Sequence, residues 1–149
     1  YFRSHGPATL RDFVWWSGLT TPDAKRGLEM IRARELRVAD KSYWTLRAAS
    51  GRPRRQPAHL LPVYDEYLVA YRDRVAVPHG PSMVGSPAGG YKQFQHSLVI
   101  AGQVRGTWRV VPKGRGVQVD VAPVRRLTAV EGRAVDREIA RYQRFLGLS

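Results

Sequence analysis

The stretch Tyr1–Val38, YFRSHGPATLRDFVWWSGLTTPDAKRGLEMIRARELRV, decides the reading of the fold. Gly6-Pro7 closes a first helix, because Gly accepts the left-handed C-terminal position and Pro cannot continue a helix. Thr9 is a natural N-cap, Asp12 lies in the positive first turn, and Leu10, Phe13 and Val14 share one helical face. Ser17-Gly18 is a turn. Thr21 caps the next helix, with Pro22 at its first position and Asp23 in its first turn. Ala24, Leu28 and Ile31 form the apolar stripe of that helix, and Lys25, Arg26, Glu29 and Arg32 lie off it. After Glu35 the period drops to two: Leu36-Arg37-Val38, a polar Asp40-Lys41-Ser42 turn and Tyr43-Trp44-Thr45-Leu46 predict a hairpin. Helix, helix, turn, helix and hairpin is the order of a winged helix-turn-helix over residues 1–46, with the hairpin as its wing.

Downstream, residues 47–58 (RAASGRPRRQPA) hold Arg47, Arg52, Arg54 and Arg55, and no acid lies between Asp40 and Asp65. This linker reads equally well as a solvated loop or as a strap across phosphates. Residues 59–149 predict a second domain. Leu60–Val63 is a strand, residues 65–71 a short helix or turn, and residues 75–90 a Gly- and Pro-rich loop too long to be a simple connection. Strands over 92–100 and 103–111 meet at Ala101-Gly102, a hairpin turn. Pro112–Gly116 turns again, and Val117–Val121 alternates cleanly. With Leu60–Val63 this meander predicts a small antiparallel barrel or curled sheet. Thr128 and Glu131 form a capping box that opens a last helix, with Val135, Ile139, Tyr142, Phe145 and Leu146 as its buried stripe and Gly147 as its stop. The expected class is α+β.

The net charge of +13 and pI near 11.0 set this chain apart from an ordinary 149-residue globular protein. Such an excess points to a polyanion, and with a helix-turn-helix the expected partner is double-stranded DNA. Arginine far outnumbers lysine, which suits bidentate phosphate contacts, although a GC-rich genome gives the same bias. Cysteine is absent, which excludes disulfides and thiolate metal sites. No apolar run is long enough for a bilayer and no signal peptide is visible, so a cytoplasmic, nucleoid-associated monomer without cofactor is expected. Tyr1 stands inside a helical pattern, so the chain is expected to be a fragment lacking an N-terminal part.

Three blocks carry a family resemblance: YFRSHGPATLRDFVWWSGL (1–19), LLPVYDEYLVAYRDR (60–74) and the strand pair ending LVIAGQVRGTW (98–108). Together they resemble the carboxy-terminal half of the winged-helix DNA-binding proteins that include the azinomycin-resistance, interstrand-crosslink DNA glycosylases. The resemblance implies tandem winged helices followed by a β-barrel, forming a positive surface for duplex DNA. It also implies excision of alkylated bases by N-glycosidic hydrolysis, through a Gln-x-Gln or Gln-x-Asp pair in a block of the type LLGVQAQ. This chain has no such block, so the expectation is a DNA-binding fragment without catalytic residues.

Other candidates carry simpler readings. Gln93-Phe94-Gln95 and Gln118-Val119-Asp120 match the bare catalytic spacing and would place both polar groups on one strand face, yet wet strand faces produce that pattern freely. Asp65, Glu66 and Asp73 are expected to pair with Arg72, Arg74 or the linker arginines. The four histidines have no ligand spacing, so no metal is expected. Trp15-Trp16 is expected to be core plus one partly exposed ring, and Gly114-Arg115-Gly116 a solvated turn. For DNA contact the predicted set is Lys25, Arg26 and Arg32 on the third helix, Lys41 at the wing tip, and Arg52, Arg54 and Arg55 in the strap. A transcription regulator with an effector-binding barrel is the alternative.

Overall fold

The computed structural model describes residues 1–46, 58–72, 95–114 and 116–147. They fall into two compact units, Tyr1–Arg52 with Glu66–Arg74 and Pro53–Asp65 with Val75–Ser149.

The first unit opens with a turn rather than a helix: Ser4 and His5 donate their N–H groups to the Tyr1 carbonyl. Helix α1 (Leu10–Ser17) follows, with Thr9 and Asp12 in a reciprocal capping box and Gly18 left-handed at its end. Helix α2 (Thr21–Met30) begins one residue earlier than its capping pattern predicts. Thr20 is the cap, and its hydroxyl accepts from the Asp23 N–H at 3.3 Å. Strands β1 (Arg34–Val38) and β2 (Lys41–Thr45) pair antiparallel, with Val38 opposite Lys41. The turn is therefore Ala39-Asp40, not Asp40–Ser42, and Ala39 takes the positive φ of 53° that a two-residue hairpin demands. Ala8 bridges Trp44 through two backbone hydrogen bonds, which sets the segment before α1 beside β2. Phe2, Ala8 and Leu28 form the core, flanked by Phe13, Ile31, Trp44 and Tyr71.

Residues 66–72 return to this unit from far along the chain. Helix α3 (Glu66–Val69) is a single turn, tied with the residues after it to α1 and the opening turn by hydrogen bonds. Tyr1 donates its hydroxyl to the Ala70 carbonyl at 3.0 Å, Trp15 its indole N–H to the Val69 carbonyl at 3.0 Å, and Tyr71 its hydroxyl to the His5 carbonyl at 2.9 Å. The Arg72 N–H donates to Asp12 Oδ1 at 2.9 Å. Burial and the nearby Asp12 carboxylate raise both the Tyr1 and Tyr71 phenols above the ordinary tyrosine range.

The second unit is a four-stranded antiparallel sheet in the order β3 (Ala58–Leu61), β4 (Ser97–Ile100), β5 (Gln103–Lys113), β6 (Gly116–Pro123). Ala101 and Gly102 both take positive φ in the β4–β5 turn, as expected of a tight hairpin. A bulge between Leu98 and Val99 leaves Arg105 as the extra residue of β5. Beside it, a Cβ on Gly106 would lie 2.7 Å from the Pro123 Cα, so only glycine permits that approach of β6.

The expected barrel is not present among the described residues: β3 and β6 are edges of an open sheet. Helix α4 (Ala129–Phe145) is the reason. Its Ala134 and Val135 pack with Ala58, Leu98 and Ile100, so a helix, not the far side of a closed sheet, covers the apolar face. The buried stripe of α4 is also shorter than predicted. Val135, Ile139 and Tyr142 pack inward, whereas Phe145 is 83% exposed and Leu146 is exposed too.

The start of α4 is tied by charge. Glu131 accepts from Arg125 at 2.6 and 2.9 Å and from the Thr128 N–H at 2.8 Å. The Arg125 guanidinium and the Thr128 N–H hold the Glu131 carboxyl down to about 2, against an ordinary 4.5. Because the folded value lies below the unfolded one, this stabilisation is complete above about pH 4.5 and is lost as pH falls toward 2. Melting temperatures followed down that window are expected to fall more steeply for the native chain than for Glu131→Gln, which has no proton to take up there. Parallel curves would refute the pair's role.

Candidate nucleic-acid interface

Lys25 and Arg26 both stand exposed on α2, opposite the buried Ala24 and Leu28. They follow one another because the core claims positions 24, 28 and 31, leaving 25, 26 and 29 outward. Arg26 has a loose partner in Asp23, at 3.9 Å on the surface, an interaction worth at most about 1 kcal/mol and easily exchanged for a phosphate. Asp23 and Glu29 balance the two cations formally, so α2 itself carries no excess charge. Arg32 is exposed but lies beyond α2, in the turn before β1. Lys41 opens β2 directly after the hairpin turn and is exposed. On the hairpin and the turn before it, Arg32, Arg34, Arg37 and Lys41 outnumber Glu35 and Asp40, so this part of the unit carries a positive excess that α2 does not. Arg34 and Arg37 are exposed there too. Every residue of β1 except Leu36 is exposed, and the two arginines stand on opposite faces of a strand that has little burial on either. Arg52, Arg54 and Arg55 lie outside the described residues, as do Gln93, Asp73, Arg74 and Arg115.

The Trp15-Trp16 pair is less buried than expected. Both rings are about half exposed, and each indole N–H is used to hold α3, Trp16 through Glu66 Oε2 at 3.2 Å. Glu66 also meets His5 Nε2 at 3.3 Å. Its partners are thus an indole and an imidazole, not the arginines that sequence proximity suggested.

Gln118 and Asp120 do share a face of β6, as their spacing requires. Asp120 is nevertheless committed: it accepts from Gln118 Nε2 at 2.7 Å and from Arg109 Nη2 at 3.2 Å. Arg109 and Asp120 border an open depression with Thr107, Trp108 and Ala122. Both oxygens of the carboxylate are thus taken by side chains of its own sheet, the role of a surface strand pair. Gln95 is exposed. No group of three or more His, Asp or Glu able to hold a metal occurs among the described residues.

One further basic feature was missed by the sequence reading. Arg133, Arg137, Arg141 and Arg144 are all exposed on α4. The spacing i, i+4, i+8, i+11 was the available signal, overlooked because attention went to the apolar positions between them.

The family model described as DNA glycosylase AlkZ-like matches residues 1–145. The chain belongs to this family. Among solved structures, the AlkZ-like chain is similar to the Streptomyces sahachiroi DNA glycosylase AlkZ, with a TM-score of 0.68 at 24% sequence identity. The match covers 97% of this chain and 40% of that one, so the chain spans two-fifths of the glycosylase's length. At this identity the likeness is one of fold. No curated protein matches the chain. Among the described residues, no helix is long and apolar enough to cross a membrane.

Proposed function

We propose that this chain is the duplex-DNA-holding part of an AlkZ-like DNA glycosylase, binding with little sequence preference and without catalytic residues of its own. The observation that carries the reading is family membership over residues 1–145 in a chain with a net charge of +13 and no LLGVQAQ-like block. In this reading residues 1–46 form a winged helix-turn-helix. The α1–α2 pair followed by the β1–β2 hairpin, with the Ala8–Trp44 bridge beside it, supports it, with a turn standing where the first of the three helices was expected. The basic segment 47–57 carries Arg52, Arg54 and Arg55, and the second domain starts at β3 and excludes residues 66–74, which return to the first unit. Lys25, Arg26, Arg32 and Lys41 meet phosphates, and the N–glycosidic chemistry belongs to a further part of the whole protein, which acts in the cytoplasm on the nucleoid.

These four phosphate contacts contribute about −3.6 to the slope of log Kobs against log salt, by themselves a weakening of roughly a hundredfold between 50 and 200 mM. Titration of a fluorescent duplex at several salt concentrations measures this, and unrelated sequences are expected to bind within about threefold of one another. Absence of salt-dependent binding would sink the proposal. A strong preference for one palindromic site would instead fit a transcription regulator.

A further inference from the structure

We propose that the arginine face of α4 is a second, separate contact for the phosphates of duplex DNA, carried by the second unit. It rests on the DNA-holding reading above and adds a surface to it. Successive positions 133, 137, 141 and 144 fall within about 80° of one another around a helix and extend it over about 16 Å. That length matches roughly five base pairs along one strand of duplex.

The composition of this face argues against a merely solvated one. Helix surfaces that only meet water gain from alternating charges at i, i+4, and like charges there are unfavourable. Here the i+4 neighbour of Arg133 is Arg137 and that of Arg137 is Arg141. Of the acids of α4, Glu131 is buried against Arg125, Glu138 reaches only Arg141, at 3.6 Å, and the exposed Asp136, three residues after Arg133, makes no ion pair with the row among the described residues. Arg133, Arg137 and Arg144 have no side-chain partner among the described residues. Four guanidiniums, three of them without an acidic partner and each a planar fork suited to phosphate oxygens, form a row that a polyanion would relieve. Being on the outer side of α4, the row can change without disturbing Ala134 or Val135 in the core.

Two variants of the full chain test this. Arg133→Gln/Arg137→Gln/Arg144→Gln is expected to weaken duplex binding at least tenfold at about 0.1 M salt and to reduce the salt slope by about 2 to 3, while the corresponding triple Arg→Lys change keeps the slope. Arg137→Glu is expected to raise the melting temperature, since it replaces like-charge neighbours with opposite ones, and to weaken binding about tenfold or more. That opposition of stability and affinity separates a binding face from a structural one. If the native chain binds with a salt slope that the triple Gln variant leaves unchanged, the α4 contact is refuted and the DNA-holding reading survives. If the native chain does not bind duplex at low salt, both fall.

Discussion

Trp108→Ala is expected to lower the unfolding free energy of the second unit by about 4 kcal/mol. Trp108 is 6% exposed near the middle of β5, and it touches three elements at once. Its indole N–H donates to the Leu61 carbonyl at 2.9 Å, capping the end of β3. Its ring meets His96 edge-on at 4.6 Å between centroids and Tyr142 of α4 at 5.2 Å. Removing it leaves a cavity under α4 and an unsatisfied buried carbonyl together. Trp108→Phe keeps most of the packing and loses only the hydrogen bond, at about 1 to 2 kcal/mol. Urea unfolding of both variants, followed by far-ultraviolet circular dichroism, measures the pair. Equal losses for Ala and Phe would show that the hydrogen bond, not the packing, carries the site.

Asp12→Ala is expected to cost the first unit about 3 kcal/mol, more than the roughly 1 kcal/mol of an ordinary helix cap. The difference lies in what Asp12 accepts. One oxygen takes the Thr9 N–H at 2.9 Å and the Thr9 hydroxyl at 2.7 Å, closing the capping box; the other takes the Arg72 N–H. Asp12 is 2% exposed, so its removal leaves a buried gap and frees three donors at once. Hydrogen exchange separates the two roles. The Asp12→Ala chain is expected to lose protection both at the first turn of α1 and over residues 68–72. Loss confined to α1 would reduce Asp12 to a cap.

Much of the local structure was legible in the sequence, because it depends on contacts within a few residues. The capping boxes at Thr9–Asp12 and Thr128–Glu131, the hairpin turn at Ala101-Gly102 and the alternation of β6 all obey short-range rules. The errors were of long range. Nothing in the spacing of residues 60–74 shows that Glu66–Arg72 leaves its neighbours to pack on α1, since its partners Tyr1, Asp12 and Trp15 are more than fifty positions away. The barrel failed for the same reason: whether a sheet closes or takes a helix depends on where α4 lies, and periodicity does not report that. Of the candidate site, the exposure of Lys25, Arg26, Arg32 and Lys41 followed from the apolar stripe and the hairpin. The arginine row of α4 was equally readable from its i, i+4, i+8, i+11 spacing, which runs alongside the apolar stripe of the same helix.

The return of residues 66–72 to the first unit has a consequence for how this protein can be cut or inherited. The chain passes from the first unit to the second, back, and out again. Cleavage in the basic segment after Thr45 would leave residues 66–72 clamped to α1, and the two pieces would stay associated. A gene truncated at the same point would encode a first unit stripped of the strip that covers Trp15, Trp16 and Tyr1. Such a piece is expected to be less stable than the intact first unit, and recombination is expected to keep the two units together rather than exchange them one at a time.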